Sequence, residues 1–190
     1  MLRRSVPTLL ILAARASHSL SVTRIFNVAI PKLPAGGELQ LCEGLDDAQD
    51  NENEDSLAEL FSVGGTVWPC AAALCRWLSA NCDEVNGANV LELGGGTGAC
   101  GLYAAACGAS QVLLTDSIPR LVKLMERNCE RNVLAGNLPS ISKTTLSFER
   151  LVWNETPLPE GPFDLVIGSD VRIRAPAYAA QPGTIFSGWS

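Results

Sequence analysis

Apolar positions along this chain follow two different periods, and the switches between them mark out the elements. Residues 89–93, 111–115, 144–148 and 163–168 are short, mostly apolar runs bounded by glycine or polar turns. Runs of that length and composition suit strands buried on both faces. Between them the period becomes helical. Pro69 opens one helix, where its missing N–H costs nothing, and Ala73, Leu74, Trp77 and Leu78 follow on one face. A small-residue helix spans 99–107 and is closed by Gly108. A third carries Leu121, Leu124, Met125 and Asn128 at helical spacing, with Ser117 as its N-cap and Pro119 in its first turn. Strands that alternate with helices in this way predict the α/β class and a parallel sheet.

The flanks follow other rules. Residues 25–31 and 37–43 read as two short strands joined by Pro31, Pro34 and Gly36-Gly37, an N-terminal β-hairpin. Residues 46–59 are dominated by acids and amides and predict a solvated loop. After Val171 no period survives, and Pro176, Pro182, Gly183 and Gly188 predict an irregular tail over 172–190. The chain thus divides into residues 1–26, a hairpin and acidic loop over 27–63, an α/β domain over 64–171, and the tail.

In the first 26 residues Arg3, Arg4, Arg15 and Arg24 are interspersed with Ser5, Ser17, Ser19 and Ser21, and no acid precedes Glu38. That composition resembles an organellar transit peptide. Residues 6–14 also suit a short signal-peptide core with Ala14-Arg15-Ala16 as cleavage site, or a frayed end, and are too short to span a bilayer. The expected location is intracellular: cytoplasmic, or mitochondrial if this stretch is a leader.

Composition narrows the chemistry. The 190 residues are 47% hydrophobic and 18% charged, which allows one globular domain of ordinary core size. A net charge of -6 disfavours non-specific nucleic-acid binding, which needs clustered Lys and Arg. The seven cysteines form no C-x-x-C pair, and His18 is the only histidine, so no metal site is expected. Free thiols in apolar helical stretches fit a reducing compartment.

The segment Val90-Leu91-Glu92-Leu93-Gly94-Gly95-Gly96-Thr97-Gly98 ends a strand and opens a helix, where α/β sheets bind ligands. Glycine lets the backbone turn tightly and removes the Cβ that would obstruct a ligand, so Gly94, Gly95 and Gly96 are expected to lie against one. Gly98 is expected to let the helix pack close to the strand. Asp116 ends the next strand, 18 residues beyond Gly98, where a carboxylate can accept both hydroxyls of a ribose. Gly94-x-Gly96-x-x-Ala99 also satisfies the dinucleotide fingerprint. Against a dinucleotide stands Glu92, which would repel a pyrophosphate but could meet a cationic ligand such as S-adenosylmethionine. The late position of the turn, after about 90 residues, points the same way.

Residues 64–171 resemble the family-16 protein-lysine methyltransferases, a branch of the class-I, seven-strand superfamily. The matching pieces are Val67-Trp68-Pro69, Leu91 to Gly98, Thr115-Asp116, Leu151-Val152-Trp153 and Phe163 to Asp170. The resemblance implies a Rossmann-like sheet and S-adenosylmethionine as cofactor. It puts Trp68 beside that cofactor, Gly94, Gly95 and Gly96 under its methionine part, Asp116 at its ribose, Trp153 against its adenine and Ser169 in the pocket lining. It implies a protein substrate, with a neutral lysine amine attacking the sulfonium methyl in line. Orientation and desolvation then supply the catalysis, and no residue is assigned as catalytic. Neither metal, membrane nor nucleic acid is called for.

The pattern also departs from the family. The tyrosine usual three residues after Asp170 is Ile173 here, between Arg172 and Arg174. The family sheet has order 3-2-1-4-5-7-6, and only strands 1–4 are expected in this chain, with 5–7 missing. The fourth strand would then be an open apolar edge, prone to pairing with another chain. The expected function is an S-adenosylmethionine-dependent protein-lysine methyltransferase. A non-catalytic cofactor-binding or interaction module is the alternative, and a nucleotide-binding oxidoreductase the more distant one. Asp170 could orient the amine or cap its strand.

Overall fold

A computed structural model describes residues 8–12, 29–43, 64–138 and 144–171. Its five strands are β1 (Thr8–Leu12), β2 (Asn89–Leu93), β3 (Gln111–Asp116), β4 (Thr145–Arg150) and β5 (Leu165–Ser169). All pairings are parallel, in the order β1-β5-β2-β3-β4. Helix α1 (Pro69–Ala80) and the single turn α2 (Cys82–Val85) precede β2. Helix α3 (Ala99–Ala106) joins β2 to β3, and α4 (Pro119–Leu134) joins β3 to β4. The four strands predicted from apolar runs end within two residues of the expected bounds.

Strand position explains strand composition. β2 and β5 are central and are apolar on both faces, with Val90, Leu91, Val166 and Ile167 all buried. β4 is an edge strand, and its residues Thr145, Ser147, Glu149 and Arg150 are exposed. Helices α1, α3 and α4 pack on one face of the sheet through Leu74, Leu78, Leu102 and Met125, against Val90, Val112, Leu114 and Ile167. On the other face Leu91, Leu93, Leu113 and Val166 pack with Leu151, Trp153 and Phe163. At the amino end of the sheet Asn89 and Asp164 tie β2 to β5: the Asp164 carboxylate accepts from Asn89 N at 2.9 Å, and Asp164 N donates to Asn89 O at 2.8 Å.

Four expectations are corrected. The edge of β5 is not open, because β1 pairs along its whole length from Thr8↔Leu165 to Leu12↔Ser169. Residues 8–12 fall inside the stretch 6–14 that also suits a signal-peptide core, and Leu9 to Leu12 are equally the composition of a parallel strand. The buried stripe of α1 is Ala71, Leu74, Cys75 and Leu78, while Ala73 and Trp77 are half-buried. The N-cap of α4 is Ile118 rather than Ser117, because the Asp116 carboxylate accepts from Ile118 N at 3.0 Å and sets the entry to the helix. No hairpin ladder forms among residues 29–43.

That last segment has a turn where the prolines and glycines placed one, with Gly36 N donating to Leu33 O at 2.8 Å. Its flanks find partners elsewhere. Leu33 enters the core beside the helices, and the Tyr103 hydroxyl donates to Lys32 O at 2.7 Å. Residues 38–42 lie along α4 and pair with asparagine side chains instead of with a second strand. The expected strand residues 25–28, the acidic loop 46–59 and the tail 172–190 lie outside the described residues.

Candidate functional site

The strand order reverses at β2, whose neighbours β3 and β5 lie on opposite sides, and ligands of such sheets bind beyond the carboxyl ends at that point. The glycine turn leaves β2 there. Gly95 N donates to Thr115 O at 2.9 Å, Gly98 N to Gly95 O at 2.8 Å, and Gly96 N to the Asp116 carboxylate at 3.1 Å. Gly94, Gly96 and Gly98 have φ of +62°, +56° and +80°, a region that a side chain strongly disfavours.

The space a Cβ would fill at this turn is taken by protein, not left for a ligand. At Gly94 it would strike the Val171 side chain; at Gly95, the Met125 sulfur at 2.7 Å; at Gly96, the Gly64 carbonyl at 2.5 Å. The glycines therefore let the segments around the turn close on it. At Gly98 a Cβ would lie 3.1 Å from Met125 and 3.3 Å from Leu114, in accord with its expected role in close helix packing.

Two carboxyl groups meet the turn from below. Asp116 is 8% exposed, and its two oxygens accept from Ile118 N and Gly96 N. Burial pushes its carboxyl above the usual range, and the backbone donors of Ile118, Gly96 and Ser117 oppose that rise. Glu92 is buried and its carboxyl turns towards α3. Its carboxyl accepts from Gly101 N at 2.9 Å, in the first turn of α3, where helix N–H groups lack backbone partners. The N-cap of α3 is Gly98, which has no side chain to cap with, so the strand below supplies the cap. Burial, with a smaller contribution from the Asp116 charge, pushes the Glu92 pKa to about 8.

The adjacent strand ends in Ser169 and Asp170. Ser169 Oγ lies 3.8 Å from Cys100 Sγ, which contacts Ala71 O at 3.6 Å in the first turn of α1. A hydrogen bond to Cys75, followed by burial, holds the Cys100 thiol well above its ordinary range, so it is an inert packing group. Asp170 has φ of 52°, and its Oδ2 is buried with no hydrogen-bond partner among the described residues. Trp68 is the N-cap residue of α1, half-buried, and its carbonyl accepts from Ala71 N at 3.0 Å. Trp153, also half-buried, follows β4 and packs on the sheet face opposite the helices, in a segment tied to the site by Leu151 N donating to Asp116 O at 2.9 Å.

Gly94, Gly95, Gly96, Asp116 and Ser169 thus share the carboxyl edge of the sheet, with the two tryptophans in segments that flank it. Sequence reasoning missed Glu43, Gly64, Met125 and Asn128, which brace the turn and its surroundings. Asn128 left a signal: a polar residue on the apolar stripe of a helix needs a buried partner. Among the described residues, no three His, Cys, Asp or Glu side chains are arranged to hold a metal ion, and no helix is long and apolar enough to cross a membrane.

The model of a lysine methyltransferase domain matches residues 49–180. The chain belongs to the lysine methyltransferase family. It is 35% identical over 122 residues to the human histone-arginine methyltransferase METTL23, covering 63% of this chain and 60% of that one. It is 33% identical over 113 residues to the zebrafish (Danio rerio) protein N-lysine methyltransferase METTL21A, covering 58% and 49%. To the calmodulin-lysine N-methyltransferase of Arabidopsis thaliana it is 31% identical over 147 residues, covering 73% and 46%. The chain thus spans about half to three-fifths of the length of these relatives. Among solved structures it is similar to magnesium protoporphyrin IX methyltransferase from Synechocystis, with 20% identity, a TM-score of 0.43, and 64% of this chain and 49% of that one covered.

Proposed function

We propose that the carboxyl edge of this sheet binds S-adenosylmethionine and that the protein transfers its methyl group to a lysine side chain of a protein. The observation that carries the reading is the bond between the Asp116 carboxylate and Gly96 N, which fixes an acid and a glycine turn together at the strand-order reversal. Two acids, Asp116 and Asp170, stand at this edge, an arrangement suited to a ligand that brings hydrogen-bond donors and a positive charge. A pyrophosphate would meet the wrong sign.

In this reading Gly94, Gly95 and Gly96 support the methionine part of the cofactor through their backbone. Asp116 accepts from the ribose hydroxyls, which would return donors to a carboxylate that burial has stripped of water. Trp153 offers a ring face to the adenine, Trp68 closes the methionine side, and Ser169 lines the pocket. When bound, the cofactor supplies an activated methyl on a sulfonium, open to a neutral amine. In this reading Asp170, whose Oδ2 is buried with no hydrogen-bond partner among the described residues, would accept a hydrogen bond from that amine. An arginine acceptor is the second reading, favoured by the name of the human relative. A protein acceptor suits the net charge of -6 better than nucleic acid does. The seven free cysteines support an intracellular, reducing location.

Calorimetric titration of S-adenosylmethionine into the full chain, with Asp116→Ala beside it, tests this. Binding by the wild type and its loss in the variant are expected. A folded wild type that binds neither S-adenosylmethionine nor S-adenosylhomocysteine overturns the reading. Labelled-methyl transfer to lysine- and arginine-containing peptides then separates the two acceptors.

A further inference from the structure

Residues 38–43 form a strap held to α4 by a ladder of side-chain amides. Asn132 accepts from Gln40 N at 2.8 Å and donates to Gln40 O at 2.7 Å. Asn128 accepts from Cys42 N at 2.7 Å and donates to Cys42 O at 3.2 Å. Asn137 donates to Glu38 O at 2.7 Å. Each of the two helical amides thus imitates the backbone of a neighbouring strand. The fit has a simple origin: four helical residues rise about 6.0 Å and two extended residues about 6.6 Å, so asparagines at i and i+4 meet alternate strap residues in register. Both side chains are fully buried, so the bonds are shielded from water.

Asn128 does one thing that Asn132 does not. Its amide also donates to Thr97 O at 2.9 Å, inside the glycine turn. At the far end of the strap, the Glu43 carboxylate accepts from Val67 N at 2.6 Å, one residue before Trp68. A continuous chain of bonds therefore runs from the glycine turn through Asn128, Cys42 and Glu43 to the Trp68 end of α1. These are the two sides of the candidate cofactor site.

We propose that Asn128 is a positioning residue that couples docking of the strap to cofactor binding: it sets the glycine turn from one amide hydrogen and the strap from the rest of the group, so each ordered partner favours the other. The inference rests on the glycine turn being the cofactor site. Asn128 has no need to touch the cofactor, and Asn132 provides the matched control because it holds the same strap without reaching the turn.

The test uses the full chain and S-adenosylhomocysteine. Hydrogen exchange is followed at the Gln40 and Cys42 amides with and without the ligand, and calorimetric affinity is measured for the wild type, Asn128→Ala and Asn132→Ala. Ligand is expected to slow exchange at both amides in the wild type. Asn128→Ala is expected to raise Kd by about tenfold, and Asn132→Ala by less than about threefold, at comparable losses of melting temperature. Unchanged exchange at Gln40 and Cys42 in a wild type that binds ligand overturns the coupling, and needs no variant to fold. Equal affinity losses in the two variants overturn the special role of Asn128. A wild type that binds no ligand overturns the site itself, an outcome distinct from both.

Discussion

Glu92 keeps a carboxyl group where water cannot reach it, and pH should report on that. Its pKa is raised from 4.5 to about 8, first by burial and then by the Asp116 charge, with the Gly101 N–H pulling the other way. The folded state therefore holds the proton more tightly than the unfolded state does. The stability this confers is complete below pH 4.5 and is lost as pH rises towards 8, with a slope of at most about 1.4 kcal/mol per pH unit. Urea midpoints measured between pH 5 and 8 should fall steadily in the wild type and much less in Glu92→Gln, which keeps an oxygen for Gly101 N. Equal slopes in the two proteins would remove Glu92 as the cause. The position of Glu92 was plain in the sequence, but its direction was not: a residue two places before a glycine turn can point to either sheet face, and packing of α3 against β2 decided it.

At the scale of elements, β1 matters most for what it covers. It pairs in parallel with β5 along five residues, so the central strands β5 and β2 are both flanked. Deleting residues 1–13 should strip that edge and leave a row of unpaired backbone groups on an apolar strand. A lower melting temperature and concentration-dependent self-association in light scattering are expected. A deletion variant that melts with the wild type and stays monomeric would deny β1 any structural part. The apolar run at 8–12 was legible, but its partner was not, because the parallel pairing spans more than 150 residues of chain. The strap shows the same limit. Its turn at residues 33–37 was readable from prolines and glycines, whereas its pairing with Asn128 and Asn132 depended on the distant α4.

For the whole molecule, the site draws on elements far apart in the chain: the turn after β2, the ends of β3 and β5, the entry to α1 and the strap. A ligand that bridges them should stabilise the folded state as a unit. At S-adenosylmethionine a hundredfold above Kd, the gain in unfolding free energy is expected to be about 2.7 kcal/mol. Thermal melts across a ligand series would show a melting temperature that rises with concentration, and Asp116→Ala should abolish the rise. A melting temperature indifferent to ligand would mean that binding, if present, does not engage the folded frame.

The sequence by itself determined the α/β class, four of the five strands among the described residues, and the places of a glycine turn and of Asp116 at the ends of strands, because each of these is written in local period, in turn chemistry or at a strand end. Tertiary structure alone decided which way Glu92 points, what fills the space beside each glycine, what covers β5, and what holds residues 38–42. Those outcomes depend on contacts between segments that the chain keeps far apart, such as Val171 over Gly94, Gly64 over Gly96 and Asn128 beneath Thr97. Local pattern sets the shape each segment prefers. Only packing sets which surfaces meet.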